Sequence, residues 1–153
     1  MKALELRIPP VAQFLMAAGA MWLTAKYLPA PQVALPGRNV LVLLFAGLGG
    51  LFAVPAVAAF RSFGTTVDPR FPAKATRLVV SGVYRYSRNP MYLGLLCLLL
   101  AWAAYLSDLL AFAVIPLFVI SMNRLQIRLE EAAMERQFGD EYRDYRSKVR
   151  RWI

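Results

Sequence analysis

Four apolar runs, separated by polar and turn-rich stretches, organise the chain. The first runs from Val11 to Leu28 and carries one charge, Lys26, near its end. The second covers Asn39 to Phe60, 22 residues without a charge, and the third Asn89 to Ser107, 19 residues. The fourth, Leu109 to Asn123, has only 15. A helix needs roughly 17–25 apolar residues to cross a bilayer. The second and third runs meet that length outright; the first meets it if Lys26 extends its ammonium to the interface. The fourth is short, but only Ser107 and Asp108 part it from the third. Two apolar runs joined that tightly predict a helical hairpin, with the fourth helix continuing past Asn123. Three further runs follow the first, which argues against a cleaved signal. The expected fold is an all-α integral membrane protein in a single domain, 1–153. It has four transmembrane helices, the last two a tight hairpin, and a cytoplasmic C-terminal helical extension.

Composition supports that fold. Hydrophobic residues make up 59% and charged residues 18%, with a mean hydropathy of +0.48. Disorder needs low hydrophobicity, and ordinary soluble domains carry about 25% charged residues. The single cysteine, Cys97, excludes an internal disulfide. With no histidine, a Cys/His zinc site and histidine-dependent hydrolases are also excluded, and no metal is expected. Cys97 sits among leucines and reads as a small core residue.

The net charge of +9 is distributed by side. Arg61, Arg70, Lys74, Arg77, Arg85 and Arg88 lie in the 61–90 connection against one acid, Asp68, and eight basic residues follow Asn123. The first connection holds only Arg38, and the hairpin tip holds none. The positive-inside rule then places both termini and the 61–90 connection in the cytoplasm, with the spans in the inner, cytoplasmic membrane. The charge is a topology signal with an attraction to anionic lipid. It forms no basic-aromatic module of the kind that binds nucleic acid.

Two polar regions, 78–94 and 124–153, reach the same membrane boundary. In the first, Asn89 before Pro90 predicts a helix start, with Asn89 as N-cap and Pro90 as first helical residue. The free N–H groups there attract anions. In the second, Asn123, Ile127, Glu130, Met134 and Phe138 share one helical stripe, which puts Glu130 on an apolar face and Glu131 among charges. Gly139 is expected to end that helix and Asp140 to cap a last short one carrying Tyr142, Tyr145 and Val149. Trp152 suits an interfacial anchor. Pro90 lies 17 residues before Ser107 and Glu130 lies 22 after Asp108. At a helical rise of ~1.5 Å they stand ~26 and ~33 Å from the tip. A helix N-terminus, two arginines, tyrosines and an acid thus meet at one depth. That setting suits a polar, zwitterionic cofactor approached by a lipid-like substrate.

The ordered motifs Gly82-x-Tyr84-Arg85-x-x-Arg88-Asn89-Pro90-x-Tyr92-x-Gly94, then Glu130-Glu131, then Phe138-Gly139-x-Glu141-Tyr142-x-x-Tyr145, carry a resemblance. Over Leu78 to Ile153 the chain resembles the isoprenylcysteine carboxyl methyltransferase family, to which phospholipid N-methyltransferases are related. The resemblance implies an integral membrane methyltransferase using S-adenosylmethionine. It implies that Tyr84, Arg88, Asn89, Pro90, Tyr92 and Gly94 line the cofactor, and that Glu130 and Glu131 close the site from the other helix. The chain departs from the commoner Arg-His-Pro at Arg88-Asn89-Pro90, so histidine-based proton transfer is unavailable. Glu130 and Arg88 are the candidate catalytic residues: Glu130 as an anchor for the cofactor or substrate, or as acceptor of a proton from an amine, and Arg88 as partner of a carboxylate. A carboxylate, amine or thiol on a hydrophobic or amphiphilic molecule serves as acceptor.

Simpler roles stand beside these. Tyr84, Tyr86 and Tyr92 can form an interfacial aromatic belt, Arg85 and Arg88 can serve topology alone, and Glu130 can bridge to a cytoplasmic arginine. Two other functions fit the same pattern: an NADPH-dependent reductase of sterol-like lipids, and a non-enzymatic four-span adaptor.

Overall fold

A computed structural model describes residues 8–28, 31–62 and 77–153. Five α-helices run through them: α1 (Pro10–Tyr27), α2 (Arg38–Ser62), α3 (Pro90–Leu106), α4 (Leu109–Met122) and α5 (Arg128–Lys148). A 3₁₀ turn, Gly82–Arg85, precedes α3, and a π-helical turn, Asn123–Ile127, joins α4 to α5 without a break. Among the described residues the only extended pairing is an isolated bridge between Gln32 and Asp108. The four apolar runs are helices with ends within a residue or two of those expected. Asp68, Arg70 and Lys74 lie outside the described residues.

Among the described residues, two helices are long and apolar enough to cross a membrane: Arg38–Ala59 and Leu109–Lys148, whose apolar part ends near Met122. α3 is a shorter apolar helix. Gln13, Thr24 and Lys26 dilute α1, and the Lys26 ammonium lies 4.7 Å from the Trp22 ring centroid and 5.1 Å from that of Tyr27. Rings and ammonium placed this way attract each other by the cation–π effect.

The hairpin forms because its two linking residues solve the backbone problem of a sharp turn. Ser107 takes a left-handed conformation at φ 52° and its Oγ donates to the Ala104 carbonyl at 2.9 Å. Asp108 is buried as the N-cap of α4, where its carboxylate accepts from the Ala111 N–H at 3.0 Å. The α1–α2 connection closes over this tip, with Val33 N–H donating to the Ser107 carbonyl at 2.8 Å and Leu109 N–H to the Pro31 carbonyl at 3.3 Å. Both connections therefore lie at one end of the bundle, and the polar segments 82–89 and 123–151 lie at the other.

α3 is the central helix, packed against α1, α2 and α4. Leu99 and Ala103 of α3, Met21 of α1, and Ala111 and Met122 of α4 are fully buried in one apolar cluster. Cys97 is buried, as its leucine neighbourhood suggested. α2 and α3 touch through glycines: a Cβ built on Gly94 would stand 2.9 Å from both the Gly49 carbonyl oxygen and the Ala53 Cβ. Small residues let helix backbones approach this closely in membrane proteins. Polar side chains tie the other helices. Ser121 Oγ donates to Gln13 Oε1 at 2.7 Å, and the Trp102 indole N–H donates to the Ala18 carbonyl at 3.1 Å.

The last polar region follows the expected helix break and adds contacts for its flanking residues. Gly139 breaks α5 as expected: at φ 51° and ψ −120° its backbone is non-helical, and a second helical stretch carrying Tyr142 and Tyr145 follows to Lys148. The Asp140 carboxylate pairs with Arg143, at 2.6 Å to Nη2. The Trp152 indole N–H reaches Asn123 Oδ1 at 3.3 Å and its ring packs on the main core. The chain after α5 has folded back over the polar end of the hairpin.

Candidate functional site

The site is built where the start of α3 meets the start of α5. Tyr92 sits in the first turn of α3, and its hydroxyl donates to Glu130 Oε1 at 2.5 Å. Gln126 Nε2 donates to the same oxygen at 2.6 Å. Among the described residues Glu130 has no arginine partner: a phenol and an amide hold it. The π turn explains this arrangement. One residue added to a turn rotates everything after it by about 100° relative to an uninterrupted helix. The buried stripe becomes Met122, Gln126, Ile127 and Glu131, so Glu131 turns inward with Glu130 beside it. Glu131, expected among charges, keeps charged partners but is buried with them by that rotation.

Glu131 is the arginine-bound acid. Arg151 grips both its oxygens, Nη2 to Oε2 at 2.6 Å and Nε to Oε1 at 3.0 Å. Arg88 reaches Oε1 through Nη2 at 3.1 Å. The Arg88 side chain is only 10% exposed, and its Nε and Nη1 have no hydrogen-bond partner among the described residues. The same holds for Gln126 Oε1. Buried polar atoms are nearly always bonded, so these three are unusual and mark where a polar ligand can be received.

Asn89 and Pro90 stand where the sequence placed them, at the N-cap and first position of α3, and Pro90 is buried. Asn89 makes no side-chain cap, however. Its Nδ2 donates to the Arg151 carbonyl at 2.9 Å, while its own N–H donates to Ser87 Oγ at 3.1 Å. The amide N–H₂ is a donor and takes a carbonyl acceptor from the returning chain, a role that helix N–H groups, themselves donors, cannot fill. Gly94 faces α2 and serves helix approach.

Tyr84 is buried in the 3₁₀ turn, and the Tyr145 hydroxyl donates to its carbonyl at 2.7 Å. Burial, then the neighbouring Tyr145 and Glu130, raises the Tyr84 phenol well above its ordinary range. Burial and then Tyr142 do the same to Tyr145. Tyr142 is pushed up to about 12 by burial and then by Glu131, with the Arg88 guanidinium pulling the other way. All three are neutral donors at physiological pH. Glu130, beyond the apolar part of its helix, is pushed up to about 7 by burial, while the bonds from Tyr92 and Gln126 oppose the rise. A carboxyl so placed changes charge near neutral pH, which suits a group that holds a cation or takes a proton.

Ser87, Asn123, Gln126 and Arg151 escaped the sequence reading as site residues. Gln126 alone had a usable signal: it stands four residues before Glu130 on the same helix. Beside the site lies an apolar cavity of about 430 Å³, bordered by Leu51, Phe52, Leu93 and Ile153, with Ser87 on its wall.

A family model described as phospholipid methyltransferase matches residues 38–141, from the start of α2 to within α5. The chain belongs to the phospholipid methyltransferase family. It is thereby a methyltransferase of membrane type, in keeping with its apolar helices. The matched stretch of this family contains Tyr84, Arg88, Tyr92, Glu130 and Glu131. The chain is also similar to an uncharacterized protein of Haemophilus influenzae, 49% identical over 63 residues, 41% of this chain and 100% of that protein. No solved structure matches the chain.

Proposed function

We propose that this protein transfers a methyl group from S-adenosylmethionine to a hydrophobic or amphiphilic acceptor where the membrane borders the cytoplasm. The observation that carries the proposal is the paired character of the unbonded buried atoms. Arg88 Nε and Nη1 offer two charge-assisted donors, which suits a carboxylate. Gln126 Oε1 offers an acceptor next to Glu130, which suits a cationic group. An amino-acid zwitterion presents both, so the residues fit the amino-acid end of the cofactor.

In this reading the cofactor supplies a methyl group on a sulfonium, with a good leaving group. The protein's task is to hold donor and acceptor in line, which can be worth on the order of 7–11 kcal/mol. Arg88 fixes the carboxylate. Glu130 and Gln126 hold the cationic side, and Tyr92 fixes Glu130. Tyr84 and Tyr145 close the pocket with neutral hydroxyls. If the acceptor is an amine, Glu130 is also able to take its proton; a carboxylate or thiolate acceptor needs no base. The apolar cavity beside Ser87 supports an acceptor with a hydrocarbon part. The order of motifs favours the isoprenylcysteine carboxyl methyltransferase branch of the family, with Asn89 in place of histidine. Four spans in the inner membrane, with the site end of the bundle cytoplasmic, complete the reading.

Titration of the detergent-purified protein with S-adenosylhomocysteine tests it. Saturable binding is expected. Glu130→Gln is expected to weaken binding about tenfold, because the amide cannot carry the charge that a cationic ligand group meets. Cys97→Ala, deep in the bundle, is expected to leave it unchanged. Equal affinities in the two variants would remove Glu130 from the site, and no binding by the folded wild type would overturn the proposal.

A further inference from the structure

We propose that Arg151 is a positioning residue: by occupying Glu131 it keeps the Arg88 guanidinium open for a ligand carboxylate. The inference rests on the cofactor reading above and adds to it a residue outside the family motifs and outside the matched stretch 38–141.

The geometry sets three groups in competition. Arginine and carboxylate prefer a two-bond fork when buried. Glu131 gives its fork to Arg151, at 2.6 and 3.0 Å, and leaves Arg88 a single contact at 3.1 Å. The consequence is the unbonded state of Arg88 Nε and Nη1. Without Arg151, both Glu131 oxygens are free to turn onto Arg88 and take up those donors. A buried cation left with spare donors is costly by itself, and it is tolerated here because Arg88 is held ready for a second anion.

The chain around Arg151 is built to hold it in place from both arms of the hairpin. Ahead of α3, Arg88 N–H donates to the Arg150 carbonyl at 3.0 Å, and Asn89 Nδ2 and Ser87 Oγ donate to the Arg151 carbonyl at 2.9 and 3.4 Å. Beyond α4, Asn123 Oδ1 accepts from Arg151 Nη1 at 3.4 Å and from the Trp152 indole at 3.3 Å. Asn89 therefore acts on the site through the Arg151 backbone.

The test compares two probes on the full chain in detergent. S-Adenosylhomocysteine carries the carboxylate; methylthioadenosine keeps the nucleoside and thioether but lacks the amino-acid carboxylate. Arg151→Ala is expected to weaken S-adenosylhomocysteine at least tenfold and methylthioadenosine less than twofold. Adding Glu131→Gln to Arg151→Ala removes the competing carboxylate, and S-adenosylhomocysteine affinity is expected to recover to within threefold of wild type. A merely structural role for Arg151 gives no such recovery. If Arg151→Ala does not elute as a folded protein, Arg151→Lys carries the comparison, with a smaller loss confined to S-adenosylhomocysteine. Unchanged affinity in the Arg151 variant, equal loss of both probes, or no recovery in the double variant would overturn the proposal. A wild type that binds neither probe overturns the cofactor reading itself, and this inference with it. Normal wild-type binding with an indifferent Arg151 variant overturns this inference alone.

Discussion

Arg88→Ala lowers affinity for S-adenosylhomocysteine by roughly 10- to 100-fold while the protein stays folded. The magnitude follows from losing charge-assisted hydrogen bonds, about 1.5–3 kcal/mol each, at 1.4 kcal/mol per tenfold. The fold survives because Glu131 keeps both its bonds to Arg151 when Arg88 is removed. Calorimetric titration beside a melting curve separates the two effects. Arg85→Ala is the natural control, since Arg85 is exposed on the neighbouring turn. If the Arg85 and Arg88 variants bind alike, Arg88 serves topology and not the ligand.

Gly94→Leu destabilises the bundle by about 3 kcal/mol, the upper part of the usual range for forced overpacking. Even a single Cβ at this position would stand 2.9 Å from the Gly49 carbonyl oxygen, and backbone atoms do not yield as a flexible side chain does. α2 and α3 must then separate. Tyr92 stands half a turn away on α3, so binding weakens with stability. Gly50→Leu, where nothing lies within 4 Å, leaves the melting temperature within a degree or two. Similar melting temperatures in the two variants would mean that the α2–α3 contact is not as close as described.

These two residues also show what the sequence could and could not disclose. The helices were legible because uncharged length is itself the physical requirement for burial in lipid. The hairpin was legible because two residues allow no other connection. Counting rise from its tip brought Pro90 and Glu130 to ~26 and ~33 Å, so that the two polar regions meet at one end, and Tyr92, in the first turn after Asn89, is in contact with Glu130. That Gly94 packs on α2 was not legible, because a motif says nothing of which neighbour a glycine faces. Glu131 was placed on a charged stripe beside the buried one because a regular 100° step was carried through 123–127, where the π turn adds a residue. Nothing in spacing predicts a π turn there. Arg151 was illegible for a different reason: its contacts join positions 20 to 64 residues apart through an irregular segment, and such contacts leave no periodic trace.

Asn89 lies between these cases. Its position at the head of α3 followed from Pro90, while its side chain found the Arg151 carbonyl in place of the helix N–H groups. A residue type can fix where a turn occurs without fixing which partner completes it.

The central claim is that a methyl group leaves S-adenosylmethionine for a lipid-like acceptor at the Arg88 and Glu130 site. The direct measurement is mass spectrometry of lipids and small thiols after purified protein, membranes and methyl-labelled S-adenosylmethionine are incubated together. The account predicts label in a hydrophobic or amphiphilic molecule, and its loss with Arg88→Ala. Folded wild-type protein that transfers no label to any membrane component would contradict it.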